Sequence, residues 1–256
     1  MIVYLLISLL FIYILVKYNK EGFEQSTVFK TFMTDIYDEF YTKIYDEVIH
    51  TIPFDTAMIE LMAPYFKNSS NNNCLCIGSK TGHIVQLLSG SMQVTGVDKS
   101  YEMVKMSEYK YPKNRYVYGD YEASFLFQQN TFTHILCPLF TIYTTPLASL
   151  FQNANIWLVH QGYMGIMHFK DGFNITNIQN HFQSQYFKLN YTYNISLNNN
   201  RITEKITNKK NQVRTNIQYL NEINLEETAK ESGFRKLAEY PIPDLPFAFV
   251  TIFQKF

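Results

Sequence analysis

The chain opens on an unbroken apolar run. Residues 2–16, IVYLLISLLFIYILV, hold no charge, no Pro and no Gly, and Lys17 and Lys20 follow. A run of this length sits at the short edge of a membrane span. It has no polar face, as a helix packed on a soluble domain would have. It also lacks the basic leader and the small-residue cleavage site of a signal peptide. The expectation is a retained single-pass anchor over residues 1–18, with residues 2–16 in the membrane. The positive charges behind the run place the rest of the chain on the cytosolic side. Asn68, Asn174, Asn190 and Asn194 each begin an N-x-[ST] sequon, and on this topology they stay unglycosylated.

Residues 19–28 are polar and read as a linker. Aromatic and aliphatic residues at helical spacing in FKTFMTDIYDEFYTKIYDEVIH predict a helix over 29–50, and a second follows at about 54–67. After the polar loop 68–73 the pattern alternates. Strands are expected at 74–78, 93–97, 115–119, 132–137 and 163–169, the last after a turn at Gly162. Helices at 82–90, 100–110 and 145–155 lie between them. Such alternation argues for a parallel sheet with helices on both faces. The last third reads differently. Segments near 186–197, 201–208 and 211–220 alternate polar and apolar residues between Asn-rich turns, which predicts antiparallel strands. A helix at 225–232 stops at Gly233, and strands near 234–240 and 247–255 close the chain. The whole is one α/β domain over 29–256, with cap helices at 29–67 and an antiparallel insertion at 186–220 placed to lid a pocket.

Composition changes this picture little. The chain has 256 residues, 22 basic and 22 acidic side chains and a formal net charge of zero. A protein that lives on nucleic acid carries a basic surplus, so no nucleic-acid partner is expected. The bias toward Asn, Tyr, Phe, Ile and Lys follows AT-rich codons. Cys74, Cys76 and Cys137 all fall in apolar runs and read as buried, reduced thiols. Neither His83 nor His134 is spaced to complete a zinc site with them, so no metal is expected.

The candidate chemistry gathers at strand ends. In an open α/β sheet, ligands bind outside the carboxyl ends of the strands. The first end here is CLCIG-SKTG-HIVQLL. Gly78 permits a tight turn out of the strand, and Gly82 permits close approach where the next helix begins. Asp98 ends the second strand, twenty positions after Gly78, where a carboxylate can hold two ribose hydroxyls. Asp120 ends the third, where a carboxylate can meet an adenine amino group. A P-loop would need Gly where Cys74 and Ser79 stand, and the dinucleotide fingerprint G-x-G-x-x-G is absent. A single adenosine with an amino-acid tail suits the spacing.

These segments resemble class I S-adenosylmethionine (SAM)-dependent methyltransferases of the type 11-like, small-molecule group. LCIGSKTG is similar to the family's hh[DE]hGxGxG loop, VTGVDKSYEMVKMS to its second motif and VYGDYE to its third. NTFTHILCPLFTIYTT resembles the fourth-strand segment, and LEETAKESGFRKLAEYPI with FAFVTIF the last helix and strands. The resemblance implies a seven-stranded Rossmann-like sheet with helices on both faces, a SAM cofactor and a small-molecule acceptor. It implies cofactor contacts at Gly78, Ser79, Lys80, Gly82, Asp98, Lys99, Asp120, Tyr121 and Cys137. Tyr45, from the cap segment YDEFYTKIYDEV, joins them. Three positions depart from the family: Cys76 replaces an acid, Lys80 the middle Gly, and Thr133 an acid of the fourth strand. Lys80 can point away from the ligand, reach its carboxylate or fill the site.

Methyl transfer relies on alignment, so a general base is optional. The candidates are Tyr143 and His168 near strand ends, with His134 inside a strand. CPLF at 137–140 lacks the polar first residue of an amino-base methyltransferase motif. The insertion's RITEKITNKKNQVR holds five basic residues and one acidic. It could face an acidic substrate or membrane phosphates, or protect edge strands from pairing. Two functions remain open: an active methyltransferase, or a degenerate methyltransferase fold serving as a membrane-tethered structural or interaction module.

Overall fold

The computed structural model describes residues 29–31, 36–49, 52–66, 71–138, 141–170, 183–198, 200–243 and 245–256. The expected anchor at 2–16 and linker at 19–28 lie outside these residues. Among the described residues no helix is long and apolar enough to cross a membrane.

Eleven strands are described: β1 (Phe29–Thr31), β2 (Asn73–Ile77), β3 (Gln93–Asp98), β4 (Arg115–Tyr118), β5 (Phe132–Cys137), β6 (Leu158–Phe169), β7 (Tyr191–Asn198), β8 (Arg201–Asn208), β9 (Val213–Tyr219), β10 (Phe234–Ile242) and β11 (Leu245–Lys255). Seven helices accompany them: α1 (Glu39–Val48), α2 (Ile52–Met62), α3 (His83–Leu88), α4 (Tyr101–Lys110), α5 (Leu147–Trp157), α6 (Gln185–Asn190) and α7 (Leu225–Glu231). Seven strands form the main sheet in the order β10-β11-β6-β5-β2-β3-β4. β2 pairs in parallel with β3 and β5, and β5 with β6, while β11 runs antiparallel to both β6 and β10. The expected seven-stranded α/β sheet is therefore present, and it is mixed rather than all parallel.

The centre of this sheet is buried on both faces, as its apolar runs require. Cys74, Leu75, Cys76 and Ile77 of β2 and Ile135, Leu136 and Cys137 of β5 are all fully buried. The three thiols are reduced. Phe151 of α5 packs edge-on against Phe234 and Phe253, which fixes that helix over β10 and β11.

A second sheet, order β1-β9-β8-β7, stands apart from the first. β7, β8 and β9 are antiparallel neighbours, as the alternating pattern predicts, but β1 adds to β9 in parallel. The helix expected over 29–50 is thus shorter: its first residues are a strand, and it begins where the Asp38 side chain accepts from Tyr41 N. The small sheet and α1 share their own core of Ile36, Tyr41, Ile44, Tyr45, Val48, Phe187, Tyr193 and Ile206, joined by Met103 of α4.

Two buried polar groups lock this core. Glu204 accepts from the hydroxyls of Tyr41 and Tyr193 and from Asn216. Arg214 donates two bonds to Asp38, at 2.9 and 2.8 Å, and others to Ile36 O and Asn216 Oδ1. Arg214 is 2% exposed. One of the five basic residues expected to face outward on the insertion therefore holds α1 in place. The strand expected at 163–169 also begins earlier, at Leu158, and passes Gln161 in a left-handed conformation without a turn at Gly162.

Candidate functional site

The loop after β2 is tied to the end of β3. Gly78 N and Ser79 N both donate to Val97 O, at 2.8 and 3.0 Å. Gly78 has φ +70° and Gly82 φ +84°, and a Cβ at Gly78 would lie 2.3 Å from Thr141 Oγ1. Only glycine fits there. Between them Lys80 also has a positive φ, 52°, at a cost of about 1–2 kcal/mol for a residue with a Cβ. Two bonds hold it: Lys80 N donates to Asp98 Oδ2 at 2.9 Å, and Ser107 Oγ donates to Lys80 O at 2.7 Å. Asp98 is buried at the end of β3, and its other oxygen accepts from Ser100 N. The loop and the carboxylate, read from the sequence as parts of one site, are joined directly.

The Lys80 side chain turns inward. Its ammonium lies 5.2 Å from the centre of the Tyr37 ring. Burial pulls its pKa down, but Tyr37, Asp98, Tyr45 and Tyr121 around it outweigh burial and hold it well above the usual lysine value. Tyr45 and Tyr121 are pushed up chiefly by their own burial, against the pull of Lys80. A void of about 10 Å³ remains between Tyr45, Asp55, Ser79, Lys80, Thr81 and His83. That holds about one water, whereas small-molecule pockets run to about 300 Å³ or more. Among the described residues, the buried hydroxyls of Ser79 and Thr141 have no hydrogen-bond partner.

Helices α1 and α2 clamp the loop from outside. Thr81 Oγ1 donates to Asp46 Oδ1, Lys110 pairs with Asp46, and His83 Nδ1 lies 2.8 Å from Asp55 Oδ2. Tyr37, Asp46 and Asp55 were missed by the sequence reading. The spacing of Tyr37, Tyr41 and Tyr45, four apart along one helical face, carried a signal for the first of them.

The other expected residues divide. Tyr45 and Tyr121 lie near enough to the Lys80 ammonium to act on its charge. Lys99 lies over the Tyr121 ring at 4.6 Å and pairs with Asp120 and Glu122, so Asp120 stands at the rim with its side chain 60% exposed. Cys137 is fully buried in the main core, its thiol pushed up by burial and by Cys74. The weak catalytic candidates have structural partners. Tyr143 Oη accepts from Phe169 N at 2.8 Å and its ring stacks on Phe169. His134 bridges Thr133 and Tyr65 O and stacks on Tyr163. His168 meets Thr251 Oγ1 at 2.7 Å, and Thr251 donates to Glu239. His168 lines a different cavity, of about 500 Å³, that shares no wall residue with the loop.

Residues 75–166 match the methyltransferase domain family. That stretch runs from β2 to β6 and contains the loop, Asp98, Asp120 and Tyr143. Several solved structures share the fold. A protein of Pyrococcus horikoshii superposes with a TM-score of 0.66 at 15% identity, covering 86% of this chain and 99% of that one. A SAM-dependent methyltransferase of Clostridium acetobutylicum gives 0.61 at 14%, covering 84% and 97%. The 1,6-didemethyltoxoflavin-N1-methyltransferase of Burkholderia thailandensis, solved with 1,6-didemethyltoxoflavin and S-adenosylhomocysteine, gives 0.53 at 14%, covering 87% and 84%. None of the curated proteins matches the sequence.

Proposed function

We propose, from the premise that residues 75–166 form a class I methyltransferase domain, that the chain is a SAM-dependent methyltransferase acting on a small molecule. One observation carries the reading: a buried carboxylate, Asp98, bonded to the glycine loop at the adjoining ends of β2 and β3. The residues present fit the cofactor on one condition. The glycine cradle, Asp98 and the unpartnered Ser79 and Thr141 hydroxyls suit a nucleoside with an amino-acid tail. The Lys80 side chain must first move off the Tyr37 ring.

When bound, the cofactor supplies an activated methyl group on a cationic sulfur. The chain then has to bind and align. Asp98 is placed to orient a ribose by accepting hydrogen bonds, while the loop backbone follows the tail. Tyr37 presents its ring face to the Lys80 cation, and Tyr121 presents its own to Lys99. No residue here is needed to move a proton, and Tyr143 and His168 keep their structural bonds. The Burkholderia enzyme, with its bound heterocycle, supports a small-molecule acceptor.

Calorimetry with SAM and S-adenosylhomocysteine tests the reading. Heat is expected with the wild type and not with Asp98→Ala; absence of heat and of thermal shift at millimolar cofactor for the wild type rejects it. The small void beside the loop favours a second reading, a degenerate fold used as an interaction module. That reading expects no binding, and no change in cells on Asp98→Ala. Membrane attachment through residues 2–16 is part of the proposal, supported by their charge-free run. Carbonate extraction of the full chain should leave it in the membrane pellet, whereas a mass shift on glycosidase treatment would reverse the topology.

A further inference from the structure

We infer that the Lys80 ammonium, held over the Tyr37 ring beside Asp98, stands where the cofactor's sulfonium binds, and that the cofactor enters by exchanging one cation for the other. The inference rests on the cofactor reading above and specifies what that site selects.

Two independent features place the lysine as an occupant of the site. Its backbone is held in the left-handed region by bonds to Asp98 and Ser107, which fixes the direction in which the side chain leaves the loop. Its ammonium then sits over the Tyr37 ring, with Asp98 as the nearby anion. A void of about 10 Å³ lies on its other side, between Tyr45, Asp55, Ser79 and Thr81. An ammonium over aromatic faces and a sulfonium over aromatic faces are held by the same attraction, positive charge on the negative face of a ring. Burial is outweighed by these neighbours, so the lysine stays charged across the physiological range.

The exchange has a charge signature. SAM carries one more positive charge than S-adenosylhomocysteine. If Lys80 leaves on binding, SAM returns a cation to the face of Tyr37 and the thioether product does not, so SAM binds more tightly. Removing the lysine then helps both ligands equally, because the bound states are the same with or without it. If Lys80 instead stayed beside the ligand, it would repel the sulfonium, and removing it would help SAM alone.

The experiment measures Kd for SAM and S-adenosylhomocysteine by calorimetry on full-length wild type, Lys80→Gly and Lys80→Met. Gly relieves the left-handed backbone and removes the side chain; Met keeps most of the bulk without the charge. Far-ultraviolet circular dichroism checks that each is folded. Lys80→Gly is expected to bind both ligands about tenfold more tightly than wild type, with an unchanged preference for SAM. Lys80→Met is expected to fall between the two. Equal or weaker binding by Lys80→Gly overturns the exchange. So does a wild type that prefers the thioether, with the preference reversed in Lys80→Gly. Absence of binding by every variant, Lys80→Gly included, removes the cofactor reading itself and this inference with it.

Discussion

Arg214→Met removes a cation that reaches across the small core to hold α1. Four bonds go with it: two to Asp38, one to Ile36 O and one to Asn216 Oδ1. The Asp38 side chain is 44% exposed, so water takes over there at little cost. Ile36 O and Asn216 Oδ1 are buried and lose their donor, at about 1–3 kcal/mol each. Met fills most of the volume against Phe40 and Tyr41 but gives up the cation's attraction to their rings, 5.5 and 5.6 Å away. The total is about 4 kcal/mol. The small core is a cluster of its own, touching the main one through Ile202, Ile49 and Ile195, so the loss should fall mainly on it. Hydrogen exchange read by mass spectrometry should show residues 36–48 and 201–219 losing protection by about three orders of magnitude. Peptides over β2 and β5 should keep theirs. A uniform loss over both sheets would show that the two cores unfold as one unit. A change below about 1 kcal/mol would show that water replaces Arg214 at no cost, and the reasoning would fail.

Cys74, Cys76 and Cys137 are fully buried; the Cys76 thiol is pushed up by its bond to Cys74 and by burial, that of Cys137 mainly by burial. A thiol-reactive dye should therefore label none of the three in the folded chain and all three in urea, and fast labelling without denaturant would contradict the placement. Gly78→Ala puts a Cβ against Thr141 at φ +70° and should lose about 2–4 kcal/mol in denaturant titration. Adding Thr141→Ala should recover part of that; strict additivity would mean that the two do not touch. Burial raises the Glu239 carboxyl, but bonds from Lys236 and Thr251 and the charge of His168 outweigh it and leave it below its ordinary value. A depressed carboxyl stabilises above its unfolded pKa, and that stability is lost as pH falls through the folded one. Glu239→Gln should accordingly flatten the fall in urea stability below about pH 4.5, and parallel curves for the two proteins would refute it.

The main sheet was legible because its central strands are short, continuous apolar runs between helical patterns, and because Asp98 falls at a strand end at a telling distance from Gly78. β1 was not legible. Three residues carry no period, and this strand exists only because β9, nearly two hundred positions later, offers an edge. The start of α1 was misplaced for the same reason: helical spacing runs through residues 29–38, and the Asp38 cap decides where it takes hold. Arg214 read as a solvated edge charge, since its partner Asp38 is remote in sequence. The direction of the Lys80 side chain was out of reach. Four rotatable bonds leave every option open until the tyrosines of another segment are placed around it.

Cys76 and Lys80, taken together, point to Asp55. The family resemblance places an acid at position 76 and glycine at 80. Here the Cys76 thiol is neutral and buried against Cys74. A carboxylate is nonetheless close by: Asp55 of α2 interacts with Cys76, is itself buried, and faces the void beside Tyr45 and Lys80. The negative charge absent from the strand therefore comes from the covering helix, held there by His83 at 2.8 Å. If it does the same work, attracting the positive end of the ligand, Asp55→Asn should weaken SAM binding by about tenfold, the scale of one buried charge-assisted bond. Asn keeps the shape and can still accept a hydrogen bond from His83, so melting should change little. S-adenosylhomocysteine carries the same amino-acid tail without the sulfonium. An equal loss for both ligands would place Asp55 at the tail, and a loss for SAM alone would place it at the sulfur. Unchanged binding of both would leave Asp55 as a clamp on the loop and nothing more.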